Sequence, residues 1–358
     1  MDGFGTTMNL RALSIGPLLV GAGLTAILTV GQGLGATSLF AQTPPSSGTG
    51  KLRIYDVPEP AEELAHDPGE QQDFSRINQS TDPAPRTLLI EEFIQKYPES
   101  KYLGQIHHMA TMDYRSLNRA EKVFEHGQKT LGHSPDNIPI LALMALAHSD
   151  KGNPDRSIQL ATRALGLLQK IVRPANTDQQ QWEAEYRRYM AQSLAGLGHA
   201  YLVKYEMERE ASKKASPPGE SAPDPSSPET DPARTKSPST ATAGSSRLST
   251  LLLARAYGYL TKSLNEEPRS QFVHFQLGVV STRLKRLPQA MDAFARASLL
   301  EGGYQEISRR NLESLYRTTH QNTLDGLQDL LAQARADLTG GNGKPAQVDE
   351  DSAEPGSQ

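Results

Sequence analysis

The fold is decided by residues 271–300, which read QFVHFQLGVVSTRLKRLPQAMDAFARASLL. The apolar residues in this stretch recur at spacings of three and four rather than two, which predicts α-helices and no strand. The small residues Gly278 and Ala290 belong where two paired helices cross most closely, because larger side chains would hold the backbones apart. Phe294 is large enough to fill the gap against the next pair of helices. The stretch therefore predicts a packed helical pair.

The same pattern precedes this stretch, but there it is interrupted. Gly198 corresponds to the glycine of the quoted stretch, and Ala256 and Leu260 correspond to its second small residue and its large residue. In an unbroken unit the equivalent of Ala256 would lie at position 210, so 46 residues are inserted between the two helices. Residues 211–246 contain no Phe, Trp, Tyr, Ile, Leu, Val or Met. Such a segment cannot bury enough apolar area to fold, so we expect a disordered insertion over 205–246.

Turn-forming residues punctuate the rest of the chain in the same way, and no stretch alternates well enough to propose a sheet. The breakers fall between apolar stretches of helical spacing: Asp82-Pro83, Tyr97-Pro98, Ser134-Pro135, Gly152-Asn153-Pro154, Glu267-Pro268 and Gly302-Gly303.

The period and the residue types resemble the tetratricopeptide repeat, a helical hairpin of 34 residues. Counted from Gln271, the matching positions 7, 8, 20, 24 and 27 hold Leu277, Gly278, Ala290, Phe294 and Ala297. The resemblance covers about residues 70–338. It implies an all-α fold, a right-handed solenoid of antiparallel helical hairpins with a disordered insertion.

A short junction adds a second resemblance. Residues 92–102, EFIQKYPESKY, are similar to the Phe-x-x-Lys-Tyr-Pro-x-Ser-x-Tyr junction common in exported bacterial tetratricopeptide proteins, including the outer-membrane-assembly and Tol–Pal accessory families. This resemblance implies a protein or peptide partner in the cell envelope.

The N-terminus predicts export. Residues 13–30 form an apolar run preceded by Arg11 and followed by a polar stretch of small residues, as in a signal peptide cleaved after Ala41. The product would be periplasmic or secreted. The alternative is an uncleaved run that anchors the chain in the membrane, since eighteen helical residues are just long enough to span a bilayer core.

The predicted organisation has six parts. They are a signal peptide (1–41), an irregular polar segment (42–69), N-terminal repeats (70–204), the insertion (205–246), C-terminal repeats with capping helices (247–338) and a disordered tail (339–358).

Composition and motifs exclude several function classes. The net charge of −4 argues against nucleic-acid binding, and the absence of cysteine excludes disulfides and thiolate chemistry. Phosphate-binding glycine loops, the GxSxG elbow and HExxH are all missing. The adjacent His107 and His108 point about 100° apart on a helix, so they cannot share a metal. The sequence thus predicts a non-enzymatic protein without cofactor or metal.

The resemblance also implies where a partner binds, because the first helix of each tetratricopeptide hairpin lines a concave groove. We expect one such helix to contribute Phe272, Phe275 and Val279 as a partly exposed apolar face. The next contributes an Arg-bearing end, which consists of Ile307, Arg310 and Arg317. Two alternatives stay open at this point. These side chains could pack within the fold, and the chain could be an enzyme, or an accessory subunit of an envelope enzyme complex, whose site no motif encodes.

Overall fold

A computed structural model describes residues 68–340, except 176 and 216–239. This part of the chain forms twelve α-helices and no strand, in agreement with the predicted all-α class. The helices are α1 (Pro68–Gln79), α2 (Pro83–Lys96), α3 (Leu103–Ser116), α4 (Ala120–His133), α5 (Ile138–Asp150), α6 (Pro154–Leu168), α7 (Gln179–Ala215), α8 (Thr240–Glu266), α9 (Gln271–Arg283), α10 (Leu287–Leu299), α11 (Gln305–Thr319) and α12 (Leu327–Thr339).

The predicted breakers fall between these helices for identifiable reasons. Asp82 caps α2 by accepting a hydrogen bond from the Ala84 amide at 3.0 Å, and Pro83 then occupies the first helical position. Between α5 and α6, Gly152 adopts a φ of 73°, a left-handed conformation that favours glycine. Local chemistry therefore fixes where these helices begin and end.

The helices pack against their neighbours in sequence order. The pairs α3–α4, α5–α6, α7–α8 and α9–α10 are in contact, and α5–α7 and α10–α12 contacts link alternate helices. Within α7–α8 the contacts run in opposite directions along the two helices. Ser263 donates to the Ala191 carbonyl at 2.8 Å, while Gly198 lies against Leu260. The two long helices are therefore antiparallel.

The apolar interior follows this series of helices. Ile90, Phe93 and Ile106 are buried between α1, α2 and α3. Met144 of α5 and Leu197 of α7 belong to a second cluster, shared by α4, α5, α6 and α7. Most of these helices thus bury their apolar faces against their neighbours in sequence, whereas α12 packs on α10.

The insertion differs from its prediction at both ends. α7 continues to Ala215 and α8 begins at Thr240, so residues 205–215 and 240–246 are helical rather than disordered. Residues 203–215, VKYEMEREASKKA, are rich in Glu, Lys, Arg, Met and Ala, which are strong helix formers, and this outweighs the absence of large apolar residues after Met207. The predicted signal peptide, most of the polar segment (42–67), the central part of the insertion and nearly all of the tail (341–358) lie outside the described residues.

Candidate functional site

The aromatic face of α9 that was predicted to line a groove is buried. Phe272, Phe275 and Val279 expose only 5%, 3% and 6% of their surfaces, so the prediction of partial exposure is wrong. The ring of Phe275 packs against Tyr304 at a centroid distance of 4.7 Å and against Phe294 of α10 at 5.9 Å. This face is part of the core, which is the first of the two alternatives left open by the sequence.

Tyr304 covers this face because the loop between α10 and α11 is held against α9 by contacts with Gln271. The Tyr304 amide donates to Gln271 Oε1 at 3.1 Å, and the Gln271 side chain is itself buried. Gly302 has a φ of 143° and lies so close that a Cβ atom there would collide with Gln271 Oε1. On the other side, His199 of α7 meets the Phe272 ring edge-on at 5.5 Å.

The predicted residues of α11 remain on the surface. Ile307 is half-buried, whereas Arg310 and Arg317 are exposed. Arg310 donates to Glu306 at 2.9 Å, and Arg317 donates to the Asn322 carbonyl at 3.3 Å. The six predicted residues therefore do not form one apolar groove, because three lie in the interior and three on an exposed, partly basic helix face.

Exposed large apolar side chains occur on the two longest helices, and singly at Leu88 of α2 and at Val172 after α6. Met207 of α7 is 51% exposed, and Leu248 and Leu251 of α8 are 46% and 47% exposed. The sequence pattern did not identify these three positions as exposed. The available signal was the run Leu251-Leu252-Leu253, which spans about 200° of a helix, more than one packed face can bury. Leu252 and Leu253 are buried and Leu251 is not.

A group of titratable side chains lies between α2, α3 and α4. His107 of α3 and His126 of α4 are 4% and 0% exposed, and their Nδ1 atoms are 3.0 Å apart. On the other side of the His126 ring, Nε2 lies 3.3 Å from Glu91 Oε1 without hydrogen-bond geometry. The same carboxylate oxygen accepts from the Tyr114 hydroxyl at 2.7 Å and from Lys122 at 3.1 Å. We call these five residues the histidine cluster.

The electrostatics of the histidine cluster favour neutral imidazoles. Burial lowers the pKa of His107 to about 4, and it also lowers the pKa of His126, for which Glu91 acts in the opposite direction. Burial raises the pKa of Glu91, but hydrogen bonds from Tyr114 and Lys122 outweigh it and leave that pKa below its ordinary value. The cluster therefore pairs neutral histidines with a carboxylate that is charged at neutral pH.

Sequence reasoning recognised only part of this cluster. It predicted that the adjacent His107 and His108 point apart, and they do, since His108 Nδ1 accepts from the Asn137 amide at 3.1 Å. It missed His126. The available signal was a shared His-x-x-x-Thr pattern, in which Thr111 and Thr130 donate to the carbonyls of the two histidines.

Two further properties concern metal binding and membranes. Among the described residues no group of three or more His, Cys, Asp or Glu side chains could hold a metal ion. Within the same ranges no helix is both long and apolar enough to cross a bilayer.

Comparison with known proteins gives no match, either to a family model or to a curated protein.

Proposed function

We propose that the chain is a non-enzymatic helical-repeat scaffold of the tetratricopeptide type that holds a protein or peptide partner in the cell envelope. In this proposal the helix pairs form a right-handed solenoid of antiparallel hairpins, and the insertion extends the turn of one hairpin, α7–α8. The proposal needs no cofactor, metal or nucleic acid.

One observation carries the proposal. A Cβ atom on Gly198 of α7 would lie 2.6 Å from Leu260 of α8, and one on Gly278 of α9 would lie 2.7 Å from the ring of Phe294 of α10. The two glycines, and likewise Leu260 and Phe294, are equivalent in the 34-residue frame, on either side of the insertion. The contact of a small residue with a large one at the helix crossing thus recurs with the sequence repeat, as in a repeat architecture.

We infer the partner-binding surface from the apolar side chains that are exposed to solvent. The α9 face is buried, so it cannot bind a partner in this conformation. Met207, Leu248 and Leu251 remain on α7 and α8. Exposed large apolar side chains are typical of interaction sites, so we assign partner binding first to the α7–α8 face, defined by these three residues. The exposed α11 face with Arg310 and Arg317 is the second surface.

A crosslinking pull-down from intact cells tests the assignment. The variant Met207→Ser/Leu248→Ser/Leu251→Ser should capture at least about tenfold less partner than the wild type, if the three contribute as anchors. Leu88→Ser/Val172→Ser is the matched control, because these side chains are 73% and 82% exposed elsewhere in the described chain. Equal capture by all three proteins would refute binding at the α7–α8 face. The variant Arg310→Glu/Arg317→Glu then tests α11.

Export belongs to the same proposal and rests on residues 1–41 alone. The protein from the envelope fraction should have an intact mass that corresponds to a start after Ala41. A full-length mass in the membrane fraction would favour the N-terminally anchored alternative.

The second candidate function is an enzyme, or an accessory subunit of an envelope enzyme complex, and the histidine cluster is the observation that favours it. Clusters of titratable groups with shifted pKa values often mark active sites. The contact atoms of His107 and His126 are buried within a helix pair, however, whereas a catalytic base must reach its substrate. Partner capture that survives His126→Gln would support the scaffold over the enzyme.

A further inference from the structure

The α3–α4 interface contains a contact between two neutral histidine rings. While the contact persists, the pair can take up only one additional proton. His107 Nδ1 and His126 Nδ1 face each other at 3.0 Å, and both rings are buried. In a hydrogen bond of this kind one nitrogen donates and the other accepts. A pair that carries one extra proton keeps the bond, because the additional N–H lies on an outer Nε2. A second extra proton places two N–H groups, both on charged rings, against each other.

We propose that this contact is an acid-sensitive latch, which holds α3 against α4 at neutral pH and releases it in mildly acidic solution. The open state can protonate both histidines fully, whereas the closed state accepts at most one extra proton. Opening therefore takes up protons, and lower pH favours it.

The groups that face the latch come from all three helices around it: Glu91 of α2, Tyr114 of α3, and Lys122, Glu125, Lys129 and His133 of α4. Glu91 and Glu125 favour the first proton on His126, while Lys122 and Lys129 oppose it. Glu125 also favours a proton on His107, where His126, Lys129 and His133 oppose it. Glu125 forms ion pairs with both lysines, at 3.3 and 2.9 Å. Where α5 packs on α4, Met144 lies against Gly127, an apolar contact. These charges partly cancel, so the limit on a second proton comes from the contact between the two Nδ1 atoms.

The latch lies where the first three helices join the rest of the fold. α1 packs on α2 and α2 packs on α3, while α3 reaches the later helices mainly through α4. Release of α3 from α4 therefore weakens the main connection of α1, α2 and α3 to the helices that follow, and leaves the Glu91–Lys122 ion pair and the His108–Asn137 hydrogen bond. This inference does not depend on the proposed partner, because it concerns only the stability of one helix interface.

Hydrogen exchange of the full chain at pH 7.5 and 5.5, corrected for intrinsic rates, tests the latch. Each pH unit below the ordinary histidine pKa of about 6.5 multiplies the opening constant about tenfold for each additional proton. Peptides from α3 and α4 should therefore lose about tenfold or more protection at pH 5.5, relative to peptides from α10 and α12, which contain no histidine. His126→Gln, which still hydrogen-bonds but does not titrate, should make this relative loss about tenfold smaller, because opening then takes up one proton fewer.

A control variant and an NMR titration complete the test. His320→Gln removes an exposed histidine of α11–α12 and should leave the wild-type response intact. An equal loss in all wild-type helices, or an unchanged loss in His126→Gln, would overturn the latch. If His126→Gln does not fold, NMR titration of the wild-type imidazoles decides. Titration of His107 and His126 as independent groups near pH 6.5, with α3 and α4 still protected, would also overturn it.

Discussion

At the scale of single residues, two glycines determine how closely paired helices approach. Gly198 and Gly278 each face a large side chain of the second helix, at distances that leave no room for a Cβ atom. Glycine costs about 0.5–1 kcal/mol in a helix interior relative to alanine, so its presence here needs a packing reason. The close helix crossing supplies that reason.

Gly278→Ala should therefore destabilise the protein, by about 1–3 kcal/mol, because the new methyl group displaces the Phe294 ring. Gly258→Ala is the matched control: Gly258 is also helical, but a Cβ there meets no atom within 4 Å. That change should stabilise the protein by about 0.5–1 kcal/mol. Urea denaturation of both variants measures the difference. The close crossing is refuted if Gly278→Ala behaves like Gly258→Ala.

Phe275 is the residue whose role changed most between sequence and structure. Its ring is buried between Phe294 and Tyr304, so Phe275→Ala should cost about 3–5 kcal/mol of unfolding free energy. Leu277→Ala, at a second buried position of α9, should cost about 2–5 kcal/mol. A stable Phe275→Ala protein that loses only partner binding would restore the original groove interpretation.

At the scale of elements, α2 and α3 are joined by a buried ion pair. Arg86 Nε donates to Asp113 Oδ2 at 2.6 Å, and Arg86 also donates to the Ser80 carbonyl at 2.9 Å. The Asp113 side chain is 2% exposed, and its burial raises its pKa although Arg86 acts in the opposite direction. Removal of one partner leaves the other charged group buried without an ion-pair partner.

Arg86→Met should therefore cost about 3–5 kcal/mol, and the double variant Arg86→Met/Asp113→Leu should recover most of that loss. Arg163→Met is the control, since its partner Asp136 is 65% exposed, and its cost should stay below about 1 kcal/mol. Thermal unfolding of the three variants makes the comparison. A cost for Arg86→Met as small as that for Arg163→Met would mean that water reaches Asp113.

The elements also show what the sequence can predict. Breakers such as Gly152-Asn153-Pro154 act locally, so the ends of the helices followed directly from the residues. The corresponding positions on both sides of the insertion were also recognisable, because the close crossing admits few residue types. The side chains that cover a helix could not be predicted from its own sequence. Tyr304 and His199, for example, reach the α9 face from other elements. Spacing of three and four shows that a face is apolar but does not identify its neighbour.

At the scale of the whole molecule, the longest helix pair borders the insertion, since α7 ends at Ala215 and α8 begins at Thr240. Residues 216–239, between α7 and α8, contain none of the large apolar residues that build a core. Loop-closure entropy changes by only about 0.6 kcal/mol per doubling of loop length. Replacement of 216–239 by about six Gly and Ser residues should therefore raise stability by no more than about 1 kcal/mol. A large fall in the melting temperature would mean that this segment packs on the fold.

Buried histidines should make the stability of the whole molecule depend on pH. Burial lowers the pKa of His107, His108 and His274 to about 4 in each case. Because the folded protein keeps these rings neutral, their stabilising effect is complete above the unfolded pKa of about 6.5 and is lost as pH falls towards 4. Glu125, with a pKa lowered to about 2 by Lys129, loses its contribution only below about pH 4.5. The histidines therefore lower stability between pH 6.5 and 4.5, whereas carboxyl groups whose pKa burial raises, such as those of Glu267 and Asp292, act in the opposite direction.

Urea denaturation at pH 7.5 and pH 5 should show a loss of about 2 kcal/mol for each buried histidine, since one pH unit corresponds to about 1.4 kcal/mol per proton. His274 provides a separate check because it lies in α9, away from the latch, and donates to the Pro268 carbonyl at 2.8 Å. His274→Gln should lower stability at pH 7.5 but reduce the difference between the two pH values by about 2 kcal/mol. Equal wild-type stability at both pH values would mean that the folded protein accommodates these protons, and both the global pH dependence and the latch would then fail together.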